Sequence, residues 1–283
     1  MSIRKRAAIG VATAGVAVLA VSALAAPGSA GAAKAAKIPV VVAHINSKHI
    51  NLSTGSVRAG TIEFKVVTHK GDHLLQVAKL HKGYSLPQAG ADLQKALSGN
   101  VPAIKRIDHR ITFRGGAEAR PKRPGAMSVR LTAGDYVLID QNGSAVNFLK
   151  VRGNAPAHQA AMPYQGRLTT FTYGFDPGSA GVPAKGWTRI YNHSDQPHFV
   201  EMQQVQPNTT RKQVHQFINS GAQGNPPWAL KGEAGSGVIS PRTSQLLRWN
   251  IPAGKYLVAC FWPDMMTGMP HFFMGMWRFV TVK

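Results

Sequence analysis

The chain has 283 residues, with 33 Lys and Arg against 12 Asp and Glu, and a formal net charge of +21 at pH 7. This length allows two domains that each bury a core, and the excess of positive charge bears on partners rather than on the fold. The sequence has no helix-turn-helix, zinc-finger spacing or aromatic RNA-binding motif, and no P-loop, Gly-x-Ser-x-Gly elbow or zinc-protease motif. It therefore gives no support to a nucleic-acid-binding protein, a nucleotide-dependent enzyme or a hydrolase.

The N-terminus has the pattern of a secretory signal peptide. Basic residues at 4–6 precede an apolar stretch over 7–26, and small residues follow it. Cleavage is expected after Ala25 or Ala32, and we place the signal peptide at 1–32. An uncleaved N-terminal anchor is the alternative, and no later stretch is long and apolar enough to cross a bilayer. We therefore expect a secreted or envelope-associated protein without a transmembrane segment after cleavage.

Short strand signals dominate the rest of the chain. Ten segments are rich in β-branched or aromatic residues and are bounded by Gly, Pro, Asn or Asp, which is typical of strands. One helix is predicted in each half, over 91–97 and from a cap at Asn208 or Thr209 to about 219–221. The predicted strands are 38–43, 61–67, 73–80, 136–139, 144–151, 188–191, 199–205, 246–249, 256–261 and 277–282.

An internal repeat relates the two halves of the chain. The stretch 60–80 resembles 186–205, and the stretch 131–140 resembles 251–260. Two pairs of positions align in this way, His73 with His198 and Asp140 with Cys260.

The repeat and the strand spacing together predict the fold class. We expect an all-β protein of two tandem Greek-key β-sandwich domains, each with a short helix. The domains are placed at 37–152 and 164–283. A linker without apolar periodicity joins them at 153–163.

Cys260 is the single cysteine of the sequence. An exported chain with one cysteine cannot form an internal disulfide, so its thiol is buried, paired with another molecule or bound to a metal. His271 and Met276 follow it closely, and His198 supplies a second imidazole from an earlier strand. One thiolate, two imidazoles and a weak thioether are the ligands of a mononuclear blue-copper site. The competing interpretation is that Cys260 is a small buried apolar residue.

The second domain resembles the cupredoxins, the family of plastocyanin and azurin, and is similar to their secreted bacterial members. Three motifs carry the resemblance: Pro197-His198 at a strand start, Pro-x-Gly-x-Tyr-x-x-x-Cys over 252–260, and His-x-x-x-x-Met over 271–276 before a terminal strand. The resemblance implies one copper ion that alternates between Cu(II) and Cu(I). The implied ligands are His198, Cys260, His271 and Met276.

The loop between the second and third of these motifs departs from the family pattern. The segment 261–270 separates Cys260 from His271, whereas the commonest loop of the family is shorter. The insert is rich in methionine, which raises a variant site for the soft Cu(I) ion. The additional candidate thioethers are Met265, Met266, Met269 and Met274.

The first domain lacks most of this ligand set. It has His73, but Asp140 stands at the cysteine position and no His-x-x-x-x-Met motif occurs in 141–151. We expect it to hold no copper and to have a structural or recognition role. Its many Lys and Arg residues could bind an anionic surface, although a solvated basic face is the simpler interpretation.

The ligand pattern favours an electron carrier or a copper-handling protein over an enzyme. Oxygen-reducing copper clusters use His-x-His pairs, and none of the eleven histidines forms one. Nitrite reduction needs a second copper site with three histidines, which the sequence does not assemble. As an electron carrier, the protein would exchange electrons through His271 with an acidic redox partner. The alternative is a metal-free interaction protein whose basic surface binds an anionic cell-wall polymer or another exported protein.

Overall fold

A computed structural model describes residues 35–283. The predicted signal peptide at 1–32 lies outside these residues. Residues 35–283 form one compact unit. Within them, no helix is both long enough and apolar enough to span a membrane.

The first half of the described chain contains nine strands and two helices. They are β1 Val40–Ile45, β2 Ile50–Leu52, β3 Ser56–Arg58, β4 Gly60–Val67, β5 His73–Leu80, α1 Leu86–Leu97, α2 Val101–Arg110, β6 Ile111–Ala119, β7 Gly125–Leu131, β8 Gly134–Asp140 and β9 Val146–Arg152.

The second half contains eight strands, one α-helix and one short 3-10 helix. They are β10 Gly166–Phe171, β11 Gly174–Asp176, β12 Lys185–Asn192, β13 Glu201–Val205, α3 Arg211–Asn219, β14 Ala229–Gly235, β15 Ser244–Asn250, β16 Gly254–Ala259, a 3-10 helix His271–Met274 and β17 Trp277–Val282.

The strands form three sheets that build an all-β sandwich fold. The order is β11-β10-β12-β15-β7-β4-β1-β2 in the eight-stranded sheet, β3-β9-β8-β5-β6 in the five-stranded sheet and β14-β13-β16-β17 in the four-stranded sheet. Alternate residues of β4 point into the core, where Ile62, Phe64 and Val66 are fully buried. The fold class predicted from strand spacing is confirmed at the level of an all-β sandwich.

The eight-stranded sheet contains strands from both halves of the chain. Antiparallel pairing of β15 with β7 joins them, with Leu246 opposite Ser128 and Leu247 opposite Met127. A linker position can be predicted from composition, but a sheet shared between distant segments leaves no local signal. The boundaries 37–152 and 164–283 therefore remain a prediction.

The helices differ in part from the prediction. Helix α3 begins after Thr210, whose side chain accepts a hydrogen bond from the backbone of Gln213 in a capping box. The first half has two helices instead of one, because α1 begins before residue 91 and α2 follows it directly. Burial of Ile104 and Ile107 stabilises α2 despite its β-branched residues, which tertiary packing can override.

Candidate metal centre

The four-stranded sheet brings the predicted metal ligands together at one end of its strands. Strand β16 runs antiparallel to both β13 and β17, so its end lies beside the starts of its two neighbours. Cys260 directly follows β16, and His198 precedes β13. Met276 directly precedes β17, and His271 begins the 3-10 helix before it. Strand direction therefore brings His198, Cys260 and Met276 together, and the loop after Cys260 returns His271 to the same point.

His198, Cys260 and His271 form a compact cluster of potential ligand atoms. The Cys260 Sγ atom lies 3.6 Å from Nδ1 of His198 and 3.8 Å from Nδ1 of His271. One ligand atom from each residue lies within 4.8 Å of the other two. All three side chains are fully buried. The structure thus brings together one sulfur and two imidazole nitrogens, away from water.

Burial keeps this cluster uncharged at neutral pH. It lowers the pKa of His198 to about 3 and that of His271 to about 4, although Asp264 partly opposes the shift at His271. Burial also raises the pKa of the Cys260 thiol to about 12. Both imidazoles are therefore neutral and able to bind a metal, whereas the thiol must lose a proton to do so.

The polar atoms of the cluster fit a soft or borderline metal ion. Nδ1 of His198 faces only the weakly hydrogen-bonding sulfur of Cys260, and its Nε2 atom is buried with no hydrogen-bond partner in the described residues. A buried polar group without a strong partner costs about 1–3 kcal/mol. A metal bound at Nδ1 would replace the weak contact with the Cys260 sulfur by a strong bond, and thiolate with imidazole is a donor set that copper accepts.

Gln196 orients the imidazole of His271. Its Oε1 atom lies 3.3 Å from Nε2 of His271, and its Nε2 atom donates to Oδ2 of Asp264 at 3.0 Å. Donation from Nε2 of His271 to Gln196 leaves the lone pair on Nδ1, the atom that faces Cys260. Such outer hydrogen bonds set the tautomer and ring orientation of metal-binding histidines.

Asp264 closes the long loop between Cys260 and His271. Its Oδ1 atom accepts hydrogen bonds from the backbone of Met266 and from the backbone and hydroxyl of Thr267. Burial would raise the pKa of Asp264, but hydrogen bonds from Gln196, Thr267 and other donors hold it well below its usual range. The insert is therefore a compact turn that still lets both potential ligands reach one point.

Tyr173 covers His271. Its ring lies edge-on to the imidazole with 5.7 Å between centroids, and its hydroxyl donates to Oδ2 of Asp264 at 2.9 Å. Tyr173 is 42% exposed, whereas His271 is fully buried. The expectation that His271 itself meets a redox partner therefore needs correction, because a partner would contact Tyr173 or the loop around it.

The methionines near the cluster differ in burial. Met276 is fully buried, donates its backbone N–H to the carbonyl of His271 at 2.9 Å and accepts at its own carbonyl from the N–H of Cys260 at 3.3 Å. Met266 and Met269 are 67% and 48% exposed, which does not suit a ligand in a buried cluster. The axial role of Met276 remains a prediction, and its burial favours it over these two residues.

The first half repeats the strand register of this site without its chemistry. Leu75 pairs with Asp140, and His73 stands two residues before Leu75. In the second half, β13 pairs with β16 up to Glu201 opposite Ala259. One residue further along, Cys260 comes opposite residue 200, which is two residues after His198. His73 uses both ring nitrogens, with Nδ1 at 2.7 Å from Asp140 and Nε2 at 3.0 Å from the carbonyl of Lys70. No ring nitrogen of His73 remains for a metal.

Sequence reasoning missed three residues that support the cluster, namely Tyr173, Gln196 and Asp264. Tyr173 lies 91 positions before Asp264, and no spacing pattern connects them. Gln196 stands two residues before His198 and Asp264 four after Cys260, so their closeness to predicted ligands was the one available signal.

Comparisons with known proteins give distant structural likenesses. No family model and no curated protein matches the chain. Auracyanin A, a "blue" copper protein from the green thermophilic photosynthetic bacterium Chloroflexus aurantiacus, is 14% identical over 41% of this chain and 100% of its own, with a TM-score of 0.29. Reduced auracyanin from Roseiflexus castenholzii is 17% identical over 41% of this chain and 94% of its own, with a TM-score of 0.26.

A copper nitrite reductase from Nitrosomonas europaea is 11% identical over 88% of this chain and 94% of its own, with a TM-score of 0.22. Similarities this weak carry no argument about the activity of this protein. The functional assignment therefore depends on the buried cluster of His198, Cys260 and His271.

Proposed function

We propose that this protein binds one copper ion in its second half and serves in electron transfer or copper handling. The ligands are His198, Cys260 and His271, with Met276 as a weak fourth. The observation that carries the proposal is the buried arrangement of one Sγ atom and one ring nitrogen from each of two histidines, all within 4.8 Å of one another.

The donor set favours copper over other common metals. Structural zinc sites use four strong ligands, and iron–sulfur clusters use several cysteines, whereas one thiolate with two imidazoles and a long thioether bond suits copper. When bound, copper supplies one-electron redox chemistry.

The residues around the cluster provide binding and protection. Cys260 gives up its thiol proton, Gln196 holds His271 with Nδ1 facing inward, and complete burial excludes water. Tyr173 gives the cluster a half-exposed neighbour at the surface.

The complete burial of the proposed ligands suits an electron carrier, which needs no contact between substrate and metal. A cleft of about 1100 Å³ opens on the surface, and none of the four proposed ligands lines it. A substrate held there would not touch the ligand cluster. Electron transfer does not need such contact, because a partner has only to dock near Tyr173.

The proposal also includes export of the protein and binding to a negatively charged partner. The signal-peptide pattern at 1–32 and the net charge of +21 support an exported protein that meets an acidic redox partner or an anionic cell-wall polymer. The alternative, a metal-free interaction protein, has the same basic surface and differs in the absence of copper.

Visible absorption during a Cu(II) titration tests the metal site. We expect an intense thiolate-to-copper band that saturates at one equivalent, and no such band in Cys260→Ser. His73→Asn is the matched control, because it alters a buried histidine at the equivalent register position and leaves the cluster intact. A parallel Cu(I) competition with bicinchoninate detects a colourless site. Absence of the band together with no tightly bound Cu(I) would refute copper binding and favour the metal-free alternative.

A further inference from the structure

A wide cleft opens where strands from the two halves meet in the eight-stranded sheet, and Glu118 of β6 and Glu233 of β14 also line it. Its volume is about 1100 Å³, and β4, β7, β12 and β15 contribute to its lining. Cross-strand register sets Trp187 opposite Arg248 and Lys65 opposite Ala126. The pairing of β15 with β7 continues to place Arg248 beside Ala126, so these four residues form one row on the same face.

The row gives the cleft an elongated shape. Four strands at the usual spacing span about 14 Å from Trp187 to Lys65. The methyl group of Ala126 separates the long side chains of Arg248 and Lys65 and leaves a trough between them. A trough of this length fits a chain of several units better than a single small ion.

Unpaired positive charge lines this cleft. Five exposed lining residues form no ion pair within the described part of the chain: Lys65, Lys122, Arg123, Lys185 and Arg248. The two acidic lining residues, Glu118 and Glu233, both bind Arg120. The remaining cations are therefore available to an anionic ligand.

We propose that this cleft binds an anionic polysaccharide. The cations would bind its acidic groups, and the half-exposed ring of Trp187 would stack against a sugar ring. The inference rests on the part of the proposed function that assigns an anionic polymer as partner, and it is independent of copper.

The lining favours a polysaccharide over other polyanions. Proteins that bind single-stranded nucleic acid present several aromatic residues for successive bases, whereas the outward row of this cleft has one. Lysine is depleted from protein–protein interfaces, whereas three of the five unpaired cations are lysines. Trp249 also lines the cleft but is buried, so a single accessible aromatic ring lies among several cations, which suits an acidic sugar chain.

Calorimetric titration of the purified protein with polygalacturonate tests the proposal. The triple variant Lys65→Gln/Lys185→Gln/Arg248→Gln should lose about tenfold or more in affinity, because it removes three exposed charges that would contact the acidic groups of the polymer. The matched control Lys48→Gln/Lys82→Gln/Lys212→Gln removes the same charge outside the cleft and should lose much less. Neutral dextran should not bind. An equal loss in both triple variants would overturn the cleft as the site.

The variant Trp187→Leu separates a sugar chain from a simple polyanion. It should weaken binding of polygalacturonate and leave binding of inorganic polyphosphate unchanged. Tighter binding of polyphosphate or of single-stranded DNA than of polygalacturonate, or no effect of Trp187→Leu, would overturn the choice of a polysaccharide.

Two further measurements keep this proposal separate from copper binding. Cys260→Ser should bind polygalacturonate as the wild-type protein does, so a failure of the copper proposal leaves this one testable. The thermal unfolding midpoint of each cleft variant should match that of the wild-type protein, which shows that lost affinity does not reflect misfolding.

Discussion

Replacing Gln196 with Leu should weaken copper binding, because the imidazole of His271 would lose the hydrogen bond that orients it. The side chain of Gln196 makes three hydrogen bonds, two of them buried, with His271, Asp264 and the backbone N–H of Met265. At about 1 kcal/mol for each bond, the free energy of unfolding of the metal-free protein should fall by about 3 kcal/mol. Of these three hydrogen bonds, only the one to His271 involves the side chain of a proposed ligand. Copper affinity should therefore fall by roughly tenfold, which is the lower end of the range of affinity losses when a hydrogen bond to a metal ligand is removed.

Gln76→Leu is the matched control for this experiment. Gln76 is also buried, and its side chain makes several hydrogen bonds to the backbone in the first half and at Val238. Its replacement should destabilise the protein by a similar amount and leave copper affinity unchanged. Competition with a chelator of known affinity measures copper binding, and chemical denaturation measures stability. Equal copper affinity in Gln196→Leu and the wild-type protein would refute the argument that Gln196 orients His271.

Three further predictions concern protonation and the first half of the chain. Burial raises the pKa of the Cys260 thiol to about 12. Cu(II) binding at pH 7 should therefore release about one proton, and copper affinity should rise about tenfold per pH unit near neutrality. A lightly buffered titration that shows no proton release would contradict this prediction. In a Cys260→Ser background, Asp140→Cys should give no thiolate-to-copper band at one equivalent of Cu(II), because the short loop after residue 140 supplies no second imidazole. A band in this double variant would show that such a ligand is unnecessary. The hydrogen bonds from Arg106 lower the pKa of Asp92 from 3.8 to about 2, so Asp92 stabilises the fold above about pH 4 and loses this effect as the pH falls through about 2. Asp92→Asn should therefore flatten the fall in stability over that pH window in acid denaturation curves, and an unchanged slope contradicts the assignment.

The sequence allowed prediction of features that depend on local pattern or on the repeat. Strand periodicity predicted β4 and β5, and alignment of the halves placed His198 and Cys260 in the register that the structure shows. These features follow from side-chain alternation and strand direction, which act over a few residues.

Features that depend on long-range contacts were not predictable in the same way. The contact of Tyr173 with His271 joins the hairpin of β10 and β11 to a loop almost one hundred residues later. Helix α2 gains its stability from burial of Ile104 and Ile107 rather than from helix propensity. The burial of His271 follows from the way Asp264 folds the insert, and loop length alone did not reveal it.

The two halves share the same strand register, and the loop that follows the strand determines which side chains surround the histidine. In the first half, Asp140 at the end of a strand lies opposite Leu75, and His73 stands two residues before Leu75. In the second half, Cys260 comes opposite residue 200, and His198 stands two residues before it. After Asp140 the chain turns back at once, since the N–H of Asp140 donates to the carbonyl of Ala145 at 2.9 Å. The carboxylate then binds His73 and completes a closed polar pair. After Cys260 the longer loop returns with His271. Within residues 35–283, the thiol between two neutral imidazoles has no comparably strong partner. A copper ion would complete the bonding of these donors, and for this reason we place the metal in the second half alone.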